Sequence, residues 1–267
     1  MLADTLYRVP RGSGLQLLQQ RGASGAAELT SSRLRLAAGE RATYGSPAEE
    51  TVLVLQEGRG TLEADGRRWP VSRAGVFAER ATSLYLPPGV EAQVTAVLAL
   101  EAILLSTPVD VDRDDARPSR RALLAGPDMV RVSPRGRCQY QREVHDIYVD
   151  DPYVKRLIVG ETFNPAGNWS SFPPHKHDGR DGEPRLEEVY HYRIDPPQGF
   201  AHQMLYTAEG EAVTHVVRDG DAVLLPYGYH PVSSPPGYRL YYLWALAGAE
   251  RKLALYEDPA HRWIHDG

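Results

Sequence analysis

The stretch that decides the fold runs from Asn168 to Arg193 and reads Asn-Trp-Ser-Ser-Phe-Pro-Pro-His-Lys-His-Asp-Gly-Arg-Asp-Gly-Glu-Pro-Arg-Leu-Glu-Glu-Val-Tyr-His-Tyr-Arg. Within it, His175 and His177 stand two residues apart in a segment predicted to be extended, so both imidazoles point to the same face. Imidazole is the commonest nitrogen ligand of transition metals, and a carboxylate completes many such sites. The stretch therefore predicts two histidine ligands, with Glu188 as the candidate carboxylate.

A second acid, Glu187, competes with Glu188 for this role. Adjacent residues of a strand face opposite sides, so a shift of one residue decides which carboxylate reaches the metal. We expect Glu188, because that choice places Tyr190 and Tyr192 on the same inward face. The segment after His177 is rich in glycine and charged residues, which predicts a loop that returns the chain to the metal.

Composition limits the classes of protein and of partner. The chain has 267 residues with 24 Gly and 21 Pro, which fits one large globular body or two small domains. Its formal net charge of -5 argues against a nucleic-acid or anionic-membrane partner and favours a small polar molecule. Cys138 is the only cysteine, and no apolar run is long enough to span a membrane. We expect a cytoplasmic protein.

Short β segments with turn signals run along most of the chain. Asp65-Gly66, between two runs rich in β-branched and apolar residues, predicts a type I′ hairpin. Strand signals recur every 8–12 residues or so, which predicts an all-β sandwich or barrel. Residues 109–121 are crowded with Asp and Arg and predict a solvated linker. We place a domain boundary there, which gives domains of residues 1–120 and 121–267.

The two halves of the sequence resemble each other. Glu-Glu-Thr-Val-Leu-Val-Leu, starting at Glu49, parallels Glu-Glu-Val-Tyr-His-Tyr-Arg, starting at Glu187. Leu-Pro-Pro-Gly-Val-Glu, starting at Leu86, parallels Leu-Pro-Tyr-Gly-Tyr-His, starting at Leu225. A duplicated small β-barrel explains both matches.

The distribution of histidine indicates which half is active. All nine histidines lie at or beyond His145. Where the second half has His230, the first half has Glu91, and no His-x-His precedes Glu50. We expect an N-terminal barrel without metal ligands and a C-terminal barrel that holds the metal and the active site.

The second half resembles the cupin superfamily, whose first motif supplies two His and one Glu. The second cupin motif has the form Gly-x5-Pro-x-Gly-x-x-His, and here it reads from Gly220 through Pro226 and Gly228 to His230, one residue short. The resemblance implies two tandem cupin barrels, each a double-stranded β-helix or jelly roll. It also implies one divalent transition metal, zinc, manganese, iron or nickel, whose ligands are His175, His177, Glu188 and His230.

Longer blocks resemble the 5-deoxy-glucuronate isomerase family of myo-inositol catabolism. They include Asn168 to Asp178, Glu188 to Arg193, and Pro-Tyr-Gly-Tyr-His-Pro from Pro226. The resemblance implies a metal-dependent aldose–ketose isomerase that converts 5-deoxy-glucuronate to 5-dehydro-2-deoxygluconate. Three alternatives stay open: a 5-keto-4-deoxyuronate isomerase of pectin breakdown, a metal-dependent cupin dioxygenase, and a non-catalytic sugar-acid-binding bicupin.

The implied reaction needs a proton-transferring group and a cation for the substrate carboxylate. We take Glu161 and Tyr242 as candidate catalytic residues. The candidate substrate-binding residues are Arg156, Lys176, Gln203 and Tyr227. Barrels with exposed edge strands often pair, so we also expect a homo-oligomer.

Overall fold

The computed structural model describes residues 1–110 and 121–265, and its regular secondary structure is almost entirely β-strand. The strands are β1 Leu6–Tyr7, β2 Gly14–Gln19, β3 Thr30–Leu36, β4 Arg41–Gly45, β5 Glu49–Ala64, β6 Arg67–Arg73, β7 Ser83–Leu86, β8 Glu91–Ala96, β9 Leu100–Pro108, β10 Leu123–Ala125, β11 Arg131–Arg135, β12 Arg142–Tyr148, β13 Ile158–Asn164, β14 Trp169–Ser170, β15 His175–Lys176, β16 Leu186–Asp195, β17 Ala201–Tyr206, β18 Ala212–Val217, β19 Ala222–Leu225, β20 Val232–Ser233, β21 Arg239–Gly248 and β22 Tyr256–Glu257. The 3₁₀ helices are Leu2–Asp4, Pro127–Met129, Cys138–Tyr140 and Pro259–His265. The predicted all-β class is confirmed.

The first barrel is organised around the long strand β5. Its sheet runs in the order β10-β7-β5-β9-β3-β2, and β4, β6 and β8 complete the wall. Strands β5 and β6 meet at Asp65 and Gly66, whose φ angles of 51° and 70° are the positive values that a type I′ turn requires. The predicted hairpin is therefore confirmed, and it fixes the register of the strand that runs through this barrel.

The second barrel has two facing sheets and a short ribbon. A seven-stranded sheet runs β1-β19-β16-β21-β13-β12-β11, and a four-stranded sheet runs β14-β20-β17-β18. The ribbon pairs β15 with β22, with His175 opposite Glu257. The C-terminal segment thus packs directly on the short strand that carries His175, the first predicted ligand.

Alternation along β16 and β21 separates two apolar cores. Tyr190, Tyr192 and Tyr242 point into the second barrel, whereas Val189 and Tyr241 point out of it. The outward residues pack against outward residues of the first barrel, such as those of β5, in one shared core between the halves. The interior of the first barrel forms a third cluster. The two halves are therefore joined face to face through large sheets.

Two short strands lie across the predicted domain boundary. Strand β1, near the N-terminus, pairs with β19 of the second barrel, whereas β10, after the boundary, pairs with β7 of the first. The predicted division at residues 120 and 121 stays a prediction, and most of the predicted linker lies outside the described residues. Within the ranges that are described, no helix has the length and apolar character needed to cross a membrane.

Candidate metal centre

Strand β16 separates the two competing acids. Glu188 shares the inward face with Tyr190 and is 4% exposed. Glu187 points outward to the first barrel, where its carboxylate accepts hydrogen bonds from the backbone N–H groups of residues 27–29. Of the two carboxylates, the one of Glu188 therefore reaches the interior of the second barrel.

Three buried side chains converge inside this barrel. His177, Glu188 and His230 each bring one nitrogen or oxygen atom to within 4.8 Å of the others. Nε2 of His177 lies 3.0 Å from Oε2 of Glu188, and Nε2 of His230 lies 3.4 Å from the same oxygen. Two imidazoles and a carboxylate are a donor set that several divalent transition metals accept.

His175 lies beside this group of three. Its ring is half-buried, and its centroid is 4.8 Å from the centroid of His230. The strand that carries it, β15, alternates as predicted, because His175 and His177 both line one cavity while the intervening side chain turns away. The structure thus brings all four predicted ligands to one place, with His175 at the edge.

Backbone carbonyls orient two of the imidazoles. Nδ1 of His177 donates to the carbonyl of Leu186 at 2.8 Å, and Nδ1 of His230 donates to that of Gly228 at 3.0 Å. In its neutral form with Nδ1 protonated, each of these rings would present the lone pair of its Nε2 to the centre. Nε2 of His230 is buried and has no hydrogen-bond partner among the described residues. Since an orphaned buried acceptor is costly, this donor set fits a bound metal.

Burial keeps His175 and His230 neutral. Desolvation, followed by the like charges of His177 and Arg142, lowers the pKa of His175 to about 3. Desolvation and the two neighbouring histidines also lower the pKa of His230 well below its usual range. Neutral imidazole is the form that binds metals, so both rings are ready to act as ligands at neutral pH.

Gln203 supports the site from behind. Its amide nitrogen donates to the carbonyl of His230 at 2.9 Å, and its oxygen accepts the hydroxyl proton of Tyr192 at 2.7 Å. The residue is fully buried. Gln203 therefore fixes the backbone at His230, whereas the sequence had suggested that it contacts substrate.

A cavity of about 930 Å³ opens onto the cluster and is large enough for a sugar acid. His175, His177 and Glu188 line one part of it. Residues of β11, β12 and the C-terminal segment line the rest, and Arg142 is among them.

Tyr242, one of the two predicted catalytic residues, lines this cavity. Its hydroxyl lies 2.5 Å from Oγ of Ser170, and its ring is stacked at a tilt on Tyr190, with centroids 4.4 Å apart. The hydroxyl of Tyr190 lies 3.1 Å from Oγ of Ser171 in the same way. Burial raises the pKa of Tyr242, so its phenol keeps the proton at neutral pH.

Glu161, the other predicted catalytic residue, lies on the opposite side of the sheet. Its carboxylate forms a fully buried ion pair with Arg73 of the first barrel, with atoms 2.8 and 2.9 Å apart, and accepts a hydrogen bond from Tyr241 at 2.7 Å. Strand alternation gives its inward place to Thr162, which does line the cavity. This geometry does not fit a catalytic role for Glu161 and instead makes it a link between the halves.

Three predicted substrate-binding residues also point away from the cavity. Arg156 donates to the carbonyls of Pro108 and Gly248 and pairs with Glu28 at 2.7 Å. The ammonium of Lys176 is held by three carboxylates, and the hydroxyl of Tyr227 donates to Glu211. The acids around Lys176 are Asp178, Asp181 and Glu183. The geometry does not support substrate contacts by these residues, since they have other partners.

Sequence reasoning missed the cationic wall of the cavity, which Arg142 and Arg135 help to form. Both belong to a hairpin, β11 and β12, that carries no motif. Their distance along the chain from the histidines gave no signal of proximity. The pairing of β12 with β13, which in turn pairs with β21 beside the ligand strand β16, brings them to the site.

Comparison with known proteins gives a family match over most of the chain. A model described as the KduI/IolB family matches residues 10–264. The chain belongs to this family. It is similar to a 5-deoxy-glucuronate isomerase of Geobacillus kaustophilus, with 37% identity over 86% of this chain and 83% of the relative. A protein of the same name from Bacillus subtilis strain 168 is 36% identical over 86% and 85%.

Solved structures agree with the family assignment. An IolB-like protein from Salmonella typhimurium LT2 superposes with a TM-score of 0.90 at 34% identity, over 98% of this chain and 99% of that one. A variant of Bacillus subtilis oxalate decarboxylase superposes with a TM-score of 0.63 at 15% identity, over 96% and 78%, and shares the fold. Another study of that decarboxylase names its Mn(II) centres.

These findings decide several of the predictions for this member of the KduI/IolB family. The predicted family and the cupin fold are confirmed. The predicted enzyme class, isomerase, is confirmed as well. A His-Glu-His group that could hold a metal is present.

Proposed function

We propose that the chain is a metal-dependent aldose–ketose isomerase that converts 5-deoxy-glucuronate to 5-dehydro-2-deoxygluconate. The observation that supports this most strongly is the buried cluster of His177, Glu188 and His230 beside a cavity of about 930 Å³. The names of the similar proteins suggest the substrate. The metal would be held by these three side chains together with His175.

One divalent ion would supply Lewis acidity for the substrate carbonyl and the neighbouring hydroxyl. Zinc, manganese, iron and nickel all accept three imidazoles and one carboxylate. The protein contributes the orientation of the donors, because backbone carbonyls fix the rings of His177 and His230. It also limits the access of water to the donors, since the side chains of His177, Glu188 and His230 are buried and that of His175 is half-buried.

The tyrosine pair supports a role in moving protons between substrate oxygens. An aldose–ketose conversion moves a hydrogen between neighbouring carbons and a proton between their oxygens. Tyr242 keeps its phenolic proton at neutral pH, because burial raises its pKa, and can donate it to a substrate oxygen in the cavity. Ser170, 2.5 Å from that phenol, can return a proton to it. Tyr190 and Ser171 form a second pair of the same kind.

The test is to follow 5-deoxy-glucuronate by NMR in deuterated water, with the metal-loaded protein and with protein stripped by a chelator. We expect the ketose to form with the loaded protein, and to form again when metal is returned to the stripped protein. Solvent deuterium at the carbon that receives the hydrogen would support proton transfer through the solvent-exchanging groups of the site. Equal rates with loaded and stripped protein would contradict the metal dependence, and no conversion by the loaded protein would contradict the substrate.

Tyr242→Phe provides a narrower test of the proton-donor role. The change removes one hydroxyl and keeps the ring that packs on Tyr190. We expect kcat to fall by roughly 100-fold or more, the usual contribution of a positioned acid or base, with metal content unchanged. Unaltered kcat would show that the phenol takes no part.

A further inference from the structure

The guanidinium group of Arg142 lines the cavity beside the metal cluster and is held by backbone carbonyls. Arg142, the first residue of β12, donates from Nη1 to the carbonyls of Tyr140 and Phe172 at 3.2 and 3.0 Å. Among residues 1–110 and 121–265, no acid forms an ion pair with it, and its Nε and Nη2 make no hydrogen bond. The group is thus held in place by one nitrogen while its other N–H groups are free for a ligand.

Three other arginines that line the cavity are already engaged. Arg131 is bound by the carboxylates of Asp146 and Asp150, at 2.7 and 2.9 Å. Arg137 donates to the carbonyl of Ile264, and Arg251 donates to three backbone carbonyls. The unpaired charge at Arg142 therefore distinguishes it from these three arginines. Arg135, which also forms no ion pair among the described residues, is exposed, whereas Arg142 is half-buried and fixed by two backbone carbonyls.

Arg142 is close enough to the cluster to act on the same small molecule. It lines the cavity together with His175 and Tyr242. Its charge is one of the causes that lower the pKa of His175, and the phenol of Tyr242 is one of its electrostatic neighbours. Burial without a counterion lowers the pKa of Arg142 itself, so an anion placed here would relieve an existing cost.

We propose that Arg142 binds the carboxylate of the sugar acid and thereby sets its orientation, with the carbonyl end toward the metal cluster. This assignment rests on the proposed function only for the identity of the substrate. A planar guanidinium can receive a carboxylate through two parallel hydrogen bonds, and Arg142 has the free N–H groups to do so. Arg135, which also lines the cavity, adds positive charge beside it. The prediction is a site that prefers acids over the corresponding neutral sugars.

The experiment measures binding without turnover, using D-glucuronate and D-glucose as probes of metal-loaded protein by calorimetry. We expect the wild-type protein to prefer glucuronate. Arg142→Gln should reduce that preference by roughly 10- to 100-fold, the effect of losing a charged hydrogen-bonded pair, with metal content unchanged. Arg131→Gln, which removes the same charge from the mouth of the cavity where acids already neutralise it, should keep the preference.

The outcomes separate this assignment from the proposed function. Wild-type protein without a preference for glucuronate, or an Arg142→Gln variant that keeps it, would overturn the assignment. A clear Arg142-dependent preference without conversion of 5-deoxy-glucuronate would contradict only the proposed function. If Arg142→Gln loses its fold or its metal, Arg142→Lys is used instead. That variant keeps the charge but not the planar geometry and should lose about tenfold in preference, and an unchanged preference would overturn the assignment.

Discussion

The two halves of the molecule share one architecture but differ at the positions that hold the candidate metal. In the second barrel, Glu188 pairs with Leu225 of β19. In the first barrel, Thr51 pairs with Leu86 of β7, which begins the corresponding Leu-Pro segment. Thr51 therefore occupies the position of Glu188. A hydroxyl takes the place of the carboxylate, and the first barrel keeps the strand without its ligand.

The third histidine shows the same difference. His230 is buried in the second barrel, and the residue at its place in the first barrel, Glu91, is exposed at the start of β8. The interior of the first barrel is filled instead by apolar side chains. The duplicated fold is thus stable without a metal site, and function depends on a few inward positions.

Glu50 and Glu187 occupy equivalent positions in the two halves and make equivalent contacts. Glu50, one residue before Thr51, accepts hydrogen bonds from the backbone N–H groups of residues 155–157 in the second half. Glu187, one residue before Glu188, binds residues 27–29 of the first half in the same manner. These two carboxylates hold the barrels together from opposite sides.

The largest predicted effect is the loss of metal and activity when His230 is replaced, compared with the replacement of Glu91 at the matching position. His230→Ala should lose bound metal and reduce activity by more than about 100-fold, since even indirect partners of a metal ligand cost 10- to 100-fold. Glu91→Ala, at the matching place in the first barrel, should keep both. Metal analysis and turnover of the two purified variants check this. Loss of metal in Glu91→Ala would remove the distinction between the halves.

The next effect concerns the buried ion pair between the barrels. Glu161→Gln leaves the charge of Arg73 uncompensated in a fully buried place, and should lower the free energy of unfolding by about 3–5 kcal/mol. Glu63→Gln breaks an exposed pair with Arg68 and should cost no more than about 1 kcal/mol. Denaturant titrations measure both. If Glu161→Gln had wild-type stability but lost turnover, the structural role would be contradicted and a catalytic role for Glu161 would be supported.

The adjacent acids of β16 should have different roles. Glu187→Gln should lower the free energy of unfolding by about 2–3 kcal/mol, because a charged acceptor of backbone N–H groups is lost, with metal content unchanged. Glu50→Gln should behave alike, as its equivalent in the first half. Glu188→Gln should instead lose the metal. If Glu187→Gln released metal and Glu188→Gln did not, the register of β16 would be wrong.

The smallest effect is a pH dependence that belongs to His191. This residue faces the first barrel and is 4% exposed, and within the part of the chain that the structure describes neither ring nitrogen has a hydrogen-bond partner. Burial, and then the charge of Arg33, lowers its pKa to about 3. Below about pH 6.5 the unfolded chain therefore binds a proton at His191 that the folded chain does not bind. The free energy of unfolding consequently decreases as the pH is lowered.

His191→Phe should remove this contribution. Between pH 7 and pH 5, the wild-type protein should lose about 2 kcal/mol more stability than the variant, which corresponds to 1.36 kcal/mol per pKa unit. Urea titrations at the two pH values give the comparison. If both proteins lost the same stability between pH 7 and pH 5, the pKa of His191 would not be lowered by folding, and His191 would be protonated in the folded state at pH 5.

Much of the fold could be predicted because its signals are local. Asp65-Gly66 indicated a hairpin, and repeated short strands indicated barrels. The alignment of the halves was off by one residue, because it matched Glu49 with Glu187 where the structure matches Glu50. Two adjacent acids in each half made both alignments acceptable, and only strand pairing distinguishes them.

The site was predictable in part for the same reason. His175, His177, Glu188 and His230 lie in short motifs, so their convergence could be expected from the sequence. The partners of Glu161 and Arg156 lie in the first half of the chain or far along the second, and no local pattern shows them. Arg142 was missed because only the order of strands in the sheet brings it to the cavity.

The most direct test of the difference between the halves is anomalous diffraction at the metal edge from crystals of metal-loaded protein. We predict one peak per chain, among the side chains of His175, His177, Glu188 and His230, and none in the interior of the first barrel near Thr51. A peak in the first barrel, or a peak in the second barrel away from Glu188, would contradict the assignment of the metal site.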